Sequence, residues 1–532
     1  MSSAFTGTVH QLRLVLRRDR VRLPLWVVGL GGLIALSALA VPPIYDTPEK
    51  VAGYARTVGA SPVSYLMSGR QVAIDTLGGI VANEISQVAQ LGVCLMVMFL
   101  VVRHTRAEEE SGRAEMLRST VLGRHAATLA ALLHAVAAVV LIGLLTTVSM
   151  LAAGLDGLGS ATYGVGLALL GLCYAAVSLV AAQLSASARG ALGIAGAAVA
   201  AGYLVRGVGA MQDSVLVWAS PFGWAQRMDA FGDEQGWPAL LLLALTALLL
   251  GLAGWLTAHR DFGGGLLQAR PGPTRAVHRL GTPVGLVLRL QRGLMLGWAV
   301  GLAALGLLYG ALVPTIPDLV ASNPDIAGFI GASPDAEQAL VDAFLRYVFV
   351  LMAVISTGFA VGSVLRLVAD EEAGRAEVVL ATAVSRWAWL GATVLVSAAG
   401  ALLIASLMGL GLAAGYGLGT GEWDQVVAQV AGQLSYLPAV LVVAGLAVAV
   451  CGLVPRWSGL AWAGVAFVLV QVVLGEVLRL PGWIDALSPF WHLPALPVEG
   501  FAPWPALVQL ALAAALVLLG LWGYRRRDVV TS

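Results

Sequence analysis

Lysine is almost absent from this chain: of 31 basic residues, Lys50 alone is lysine and the others are arginine. A phosphate-binding loop ends in a Gly-Lys-Ser/Thr step, and Lys50 lies in "PEKVAG", where no such step exists. The chain therefore carries no P-loop of its own. Charge of either sign is scarce too. Only 11% of the 532 residues are charged, against about 25% in soluble domains, and 59% are hydrophobic. That balance excludes an ordinary soluble domain and points to a membrane protein. A net charge of +1 gives no reason to expect a nucleic-acid partner. The three cysteines, Cys94, Cys173 and Cys451, stand singly in apolar runs. This excludes a disulfide framework or a clustered zinc site, so they read as small packing residues. His134 and His492 lack metal-ligand spacing, no metal is expected, and no paired acid or Cys/His pair suggests a catalytic group.

What the chain does have is long apolar runs. A helix needs about 20 apolar residues to cross the hydrocarbon. Twelve segments qualify, near 24–44, 81–102, 127–153, 161–184, 190–209 and 237–258, then 294–314, 344–366, 388–417, 426–453, 458–478 and 504–524. The first resembles a signal peptide, with Arg13 to Arg22 before it and "ALA" at its end. A matching segment recurs in mid-chain at 288–314, so the first is read as a retained span. With the N-terminus inside, the inner segments hold 24 of the 31 basic residues, the positive-inside pattern. An even span count returns the C-terminal "RRRD" to the same side. The outer loops are acidic, with Asp213, Asp229, Asp233 and Glu234 in one and Asp318, Asp325, Asp335 and Glu337 in another.

The halves repeat. "LAVPPIY" (39–45) answers "LVPTIP" (312–317); "GASP" recurs at 59–62 and 331–334, and "SPF" at 220–222 and 488–490. "WPAL" recurs at 237–240 and 504–507, each time before an apolar helix ending in "RD", at 260–261 and 527–528. The order is colinear. The expected fold is an all-α integral membrane protein of about twelve transmembrane helices, in two tandem six-helix repeats of parallel topology, with both termini cytoplasmic. A pseudo-twofold axis along the membrane normal follows from parallel repeats. The repeats are assigned to 1–262 and 287–532, with a Gly- and Pro-rich cytoplasmic linker at 263–286.

One charged phrase occurs in both halves: "RAEEESGRAEML" at 106–117 and "VADEEAGRAEVV" at 368–379. At an offset of 262, Glu109, Glu110, Gly112, Arg113 and Glu115 align with Glu371, Glu372, Gly374, Arg375 and Glu377, and Thr120 and Arg124 with Thr382 and Arg386. Each phrase follows the second span of its half, inside. The spacing predicts a short helix, a glycine break and a second helix. A solvated turn has no physical reason to keep a glycine and four charges in matching places, whereas loops on rigid scaffolds carry function.

These two phrases, the second ending in Ser385-Arg386, resemble the cytoplasmic signature of ABC-2-type export permeases. The fused twelve-span form is similar to actinobacterial permeases described as exporters of polyketide antibiotics or drugs. The first copy has Gly123-Arg124 where the signature has Ser-Arg. The resemblance implies that the loops dock on a separate cytoplasmic ATPase, in two copies, and that ATP and Mg belong to that partner, with no cofactor in this chain. It implies a multi-pass protein of the bacterial inner membrane that exports hydrophobic small molecules and has no enzyme site of its own. The rival reading is a twelve-span, ion-coupled secondary transporter. Such transporters place ionisable residues in the membrane, and here Glu84 and Glu476 are the main candidates.

Other features admit two readings each. "HQLRLVLRRDR" before span 1 reads as an interfacial helix or as a basic anchor. Asn83, Glu84, Gln87 and Gln90 in span 2 line a substrate route or form interhelical hydrogen bonds. The second half has Leu345, Arg346, Phe349 and Met352 at these places, so any route is asymmetric. "WASPFGW" and "ALSPFWH" read as segments dipping into the outer leaflet or as an aromatic belt.

Overall fold

The computed structural model describes residues 4–60, 62–118, 122–260, 263–266, 278–315, 334–478, 482–494, 500 and 502–528. Residues 267–277 of the expected linker, the acidic stretch at 316–333 and the "GASP" serines therefore lie outside the described residues. Among the described residues no β-strand forms, and eleven helices are long and apolar enough to cross a membrane. The segment expected at 458–478 is also helical, over Ala461–Leu478. The protein is an all-α, multi-pass membrane protein. It divides into two compact units, Met1–Gly272 and Pro273–Ser532.

In the first unit, α1 (Thr8–Arg18) buries Gln11 and Val15 against α8. Next come α2 (Arg22–Ala40), which contains one π-helical stretch at Val27–Gly31, then α3 (Pro48–Ala60) and α4 (Pro62–Ser68). The long α5 (Leu77–His104) leads to the short α6 (Arg106–Glu110) and α7 (Arg113–Arg118). After them come α8 (Ala126–Ala152), α9 (Gly157–Leu184), α10 (Ala188–Met211), α11 (Pro221–Gln226) and α12 (Pro238–His259). Helix α9 is the hub, packed on α5, α8, α10 and α12. The repeated "SPF" has a structural role here. Ser220 caps α11 and donates to the Gly202 carbonyl at 2.6 Å, and Phe222 is fully buried against Tyr174 and Tyr203.

The second unit comprises α13 (Pro283–Leu312), α14 (Pro334–Glu372), α15 (Arg375–Leu380), α16 (Arg386–Thr420), α17 (Val426–Ser435), α18 (Leu437–Leu453), α19 (Ala461–Leu478), α20 (Gly482–Asp485) and α21 (Pro503–Arg526). The expected span 426–453 is broken at Tyr436, because Pro438 supplies no N–H to the preceding turn. Without water to drive association, membrane helices pack through small residues. At the α13–α16 seam, a Cβ on Gly310 would lie 2.0 Å from the Leu412 carbonyl oxygen, and one on Gly415 2.1 Å from that of Leu307. Phe490 of the second "SPF" is buried and stacks on Tyr436.

Candidate functional site

Both charged phrases turn at their glycine as the spacing predicts, but the expected short first helix forms only in the first unit; in the second it is the end of a long one. In the first unit α5 ends at His104, α6 carries the three glutamates, and Gly112 reverses the chain into α7. In the second unit α14 runs unbroken through Glu371 and Glu372, and Gly374 reverses the chain into α15. The two glycines have φ of +73° and +69°, a region costly for residues with a Cβ. Nothing lies within 4 Å of a Cβ built at either. Glycine is thus required for its backbone angle and not for space.

Each acid of the phrase has a distinct task, and the two units share the pattern. The first acid pairs across the turn: Arg113 Nε donates to Glu108 at 3.1 Å, and Arg375 Nη2 to Asp370 at 2.7 Å. In the first unit Glu108 also accepts from Arg18 of α1 at 2.6 Å. The second acid turns inward, to the arginine that ends the unit's last long helix. Arg260 Nη2 donates to Glu109 at 2.5 Å, and Arg527 Nη2 to both oxygens of Glu371 at 2.9 Å. The third acid faces outward: Glu110 and Glu372 are exposed, as are Glu115, Glu377, Arg113 and Arg375. Glu110 accepts the Ala188 N–H at 2.8 Å, at the start of α10, where a helix favours negative charge.

The reason for the inward pairs is local. Glu109 and Glu371 sit in the last turns of their helices, where exposed carbonyls repel a carboxylate. Only a cation makes that placement tolerable. Glu371 is fully buried, so its cation must be close. Arg106 adds a second cation to Glu109, at 2.8 Å, and donates to the carbonyls of Ala182 and Gly264.

A return connection completes the arrangement. Arg124 donates to the Ala258 carbonyl at 3.1 Å, and Arg386, its aligned counterpart, to the Arg527 carbonyl at 2.5 Å. Basic side chains commonly satisfy the last carbonyls of a helix. In each unit, therefore, the loop and the last helix are stapled twice, once by each side's arginine.

Residues 280–525 match the family described as "Multidrug efflux system permease Rv1217c, C-terminal domain". Across 532 residues the chain is 38% identical to the "Multidrug efflux system permease protein Rv1217c" of Mycobacterium tuberculosis, covering 99% of this chain and 96% of the relative. The chain belongs to this family of multidrug efflux permeases. As the resemblance implied, it is a multi-pass protein of the bacterial inner membrane.

The permease treats the four polar residues of span 2 unequally. Asn83 and Gln90 line a cavity with Ser86, Tyr163, Arg70 and Gln226. Glu84 is exposed and accepts from Tyr54 Oη at 2.6 Å, while Asn83 donates to that same oxygen at 2.7 Å. Gln87 is half-buried, and neither it nor Glu84 is on the cavity wall. The cavity holds about 50 Å³, whereas drug-sized ligands occupy about 300–1,000 Å³. As it stands it suits waters, not a drug. Beside it, Arg70 donates to both oxygens of Asp229 at 2.7 and 2.9 Å. Burial pushes the Asp229 carboxyl up, against the pull of Arg70.

Two sets of residues escaped the sequence reading. The first is Arg260 and Arg527, noted there only as part of the repeated "RD". The preserved glutamates and the preserved arginines were each visible, and their joint survival was the signal that they pair. The second corrects the reading of His134 as a lone histidine. Its Nε2 lies 3.3 Å from Asp19 Oδ2, and His104 Nε2 lies 2.5 Å from the same oxygen. Burial pushes the Asp19 carboxyl up, but hydrogen bonds and charge from His104 and His134 outweigh it and hold the group well below the usual range. The other oxygen of Asp19 accepts from Arg103 at 3.1 Å. The basic segment before span 1 is helical, as expected, and its end is anchored by Asp19.

Proposed function

We propose that this permease is the membrane subunit of an exporter of amphipathic or apolar small molecules, driven by ATP hydrolysis on a separate cytoplasmic subunit. One ATPase copy docks on each charged loop. The observation that carries this reading is the duplicated staple between each loop and the last helix of its unit. An exposed loop with nothing behind it cannot transmit force. A loop pinned by Glu109–Arg260 or Glu371–Arg527 delivers any displacement to α12 or α21. A packed bundle responds by switching between discrete arrangements. The outward acids Glu110, Glu115, Glu372 and Glu377, with Arg113 and Arg375, form the docking surface. Charges of this kind set register and orientation more than affinity. ATP and Mg²⁺ are bound by the partner, and this chain's own residues bind the partner and move the spans.

The test is reconstitution of the permease with its ATPase in vesicles, with drug uptake measured on adding ATP. Glu110→Gln combined with Glu372→Gln should lower ATP-driven uptake about tenfold or more, equivalent to a loss of at least about 1.4 kcal/mol at the docking step. Monodispersity and nucleotide binding should remain intact. Uptake by the permease alone, driven by a proton gradient, overturns the reading and restores the ion-coupled alternative.

A further inference from the structure

We propose that Asp19, His104 and His134 form a binding site for one Zn²⁺ ion in the first unit. Three elements meet there: the turn after α1, the last residue of α5, and α8. The three side chains are buried, and their ligand atoms all lie within 4.8 Å of one another. The two imidazole rings stand at 90° with centroids 5.4 Å apart, and both point Nε2 at the same carboxylate oxygen. His134 Nδ1 has no protein partner, so the ring is held through Nε2 alone.

The geometry is close to what zinc needs. Zinc–ligand bonds of about 2.0–2.1 Å in a tetrahedron put donor atoms about 3.3 Å apart. Asp19 and His134 already stand at 3.3 Å, and the His104 contact at 2.5 Å must open. Opening the His104 contact from 2.5 Å to about 3.3 Å takes a shift of about 0.8 Å, on the scale of a χ adjustment. Two imidazoles and one carboxylate favour zinc over calcium or magnesium, which take six or more oxygens. Three protein ligands leave a fourth position free. His104 also lines a cavity of about 270 Å³ together with Gln11, Glu108 and Thr128. That cavity supplies both an access path and room for a water as the fourth ligand.

The second unit keeps the place but not the chemistry. At an offset of 272, Gln291 stands where Asp19 does, and it exchanges hydrogen bonds with Ser363. The site therefore belongs to one half alone. Because His104 directly precedes Thr105 and the loop helix α6, a bound ion would fix the root of the first loop and leave the second unaffected. The site itself stands whether or not the transport reading holds.

The test uses the full chain in detergent, stripped with a chelator, incubated with zinc chloride alone and desalted. Elemental analysis should find about one zinc per chain, reduced at least tenfold in Asp19→Asn and in His134→Gln. Each variant is checked for monodispersity and helicity. Cobalt gives a second readout that does not depend on the variants folding: the wild-type chain should show the intense visible bands of a tetrahedral complex. His104→Cys should keep the ion and add a thiolate-to-cobalt charge-transfer band. Zinc content equal in wild type and both ligand variants, or a cobalt spectrum no different from the hydrated ion, overturns the proposal. So does a His104→Cys chain that binds cobalt without the thiolate band.

Discussion

Replacing Glu371 with glutamine tests the staple most directly. Glutamine keeps the size and one acceptor oxygen but removes the charge that Arg527 meets at 2.9 Å on both oxygens. Removing one partner of a buried pair costs about 3–5 kcal/mol, because the other charge is stranded. Glu371 is fully buried, but the Arg527 side chain is 12% exposed and stacks over the Tyr524 ring at 4.7 Å. Water and the ring soften the loss, so about 2–3 kcal/mol is expected. At tenfold per 1.4 kcal/mol, local opening of the loop should become about 30- to 150-fold more frequent. Native-state hydrogen exchange of the amides at 369–376 reads this quantity. Arg527→Gln should give a similar increase, and the double variant should be far less than additive. Exchange that changes by less than about threefold, or two single effects that simply add, would refute the reasoning. Glu109→Gln removes the carboxylate from two buried guanidinium groups, Arg106 and Arg260, but both also donate to the Gly264 carbonyl, so its cost should be of the same order as that of Glu371→Gln.

Three further outcomes are expected. Gly112→Ala and Gly374→Ala should each destabilise their loop by about 1–2 kcal/mol through backbone angle alone, while Asn at the same places costs less; hydrogen exchange of the turn distinguishes them. Phe222→Ala should lower stability by about 3–5 kcal/mol, seen as a large drop in thermal unfolding of the purified chain. Asn83→Leu with Gln90→Leu should alter the pattern of drugs exported while leaving protein level unchanged, scored as resistance across a panel; an unchanged pattern for every drug removes these residues from any substrate route.

The spans were legible because hydropathy is a property of about 20 consecutive residues, and nearly every one became a helix where expected. The break at Tyr436 was legible in principle through Pro438, but an apolar run hides it. The glycine turns were readable because a positive φ demands a particular residue at a particular place. The staple was not, since its partners lie 151 and 156 residues apart and charge alone does not say which way a side chain turns. Glu109 and Glu110 are neighbours of the same type, yet one anchors inward and the other faces out. The Asp19 cluster was hidden for the same reason: its members are 85 and 115 residues apart. Asn83, Glu84, Gln87 and Gln90 are neighbours in sequence, but only Asn83 and Gln90 reach the cavity wall, while Glu84, about 100° round the helix from Asn83, is exposed.

The arginines that close each unit serve at two moments in the protein's life. While the chain is being inserted, Arg260 and Arg527 are free charges that help hold their end of a hydrophobic segment on the cytoplasmic side. Once the helices assemble, each is neutralised by a glutamate that arrived much earlier in the chain. The charge that sets topology becomes unavailable for that purpose as soon as topology is settled, and is reused to hold the charged loop. Lysine could do the first job as well as arginine. It could not meet the glutamate and at the same time lay a flat guanidinium over the Tyr524 ring, so Arg527→Lys would separate the two moments: correct insertion, with a loosened loop.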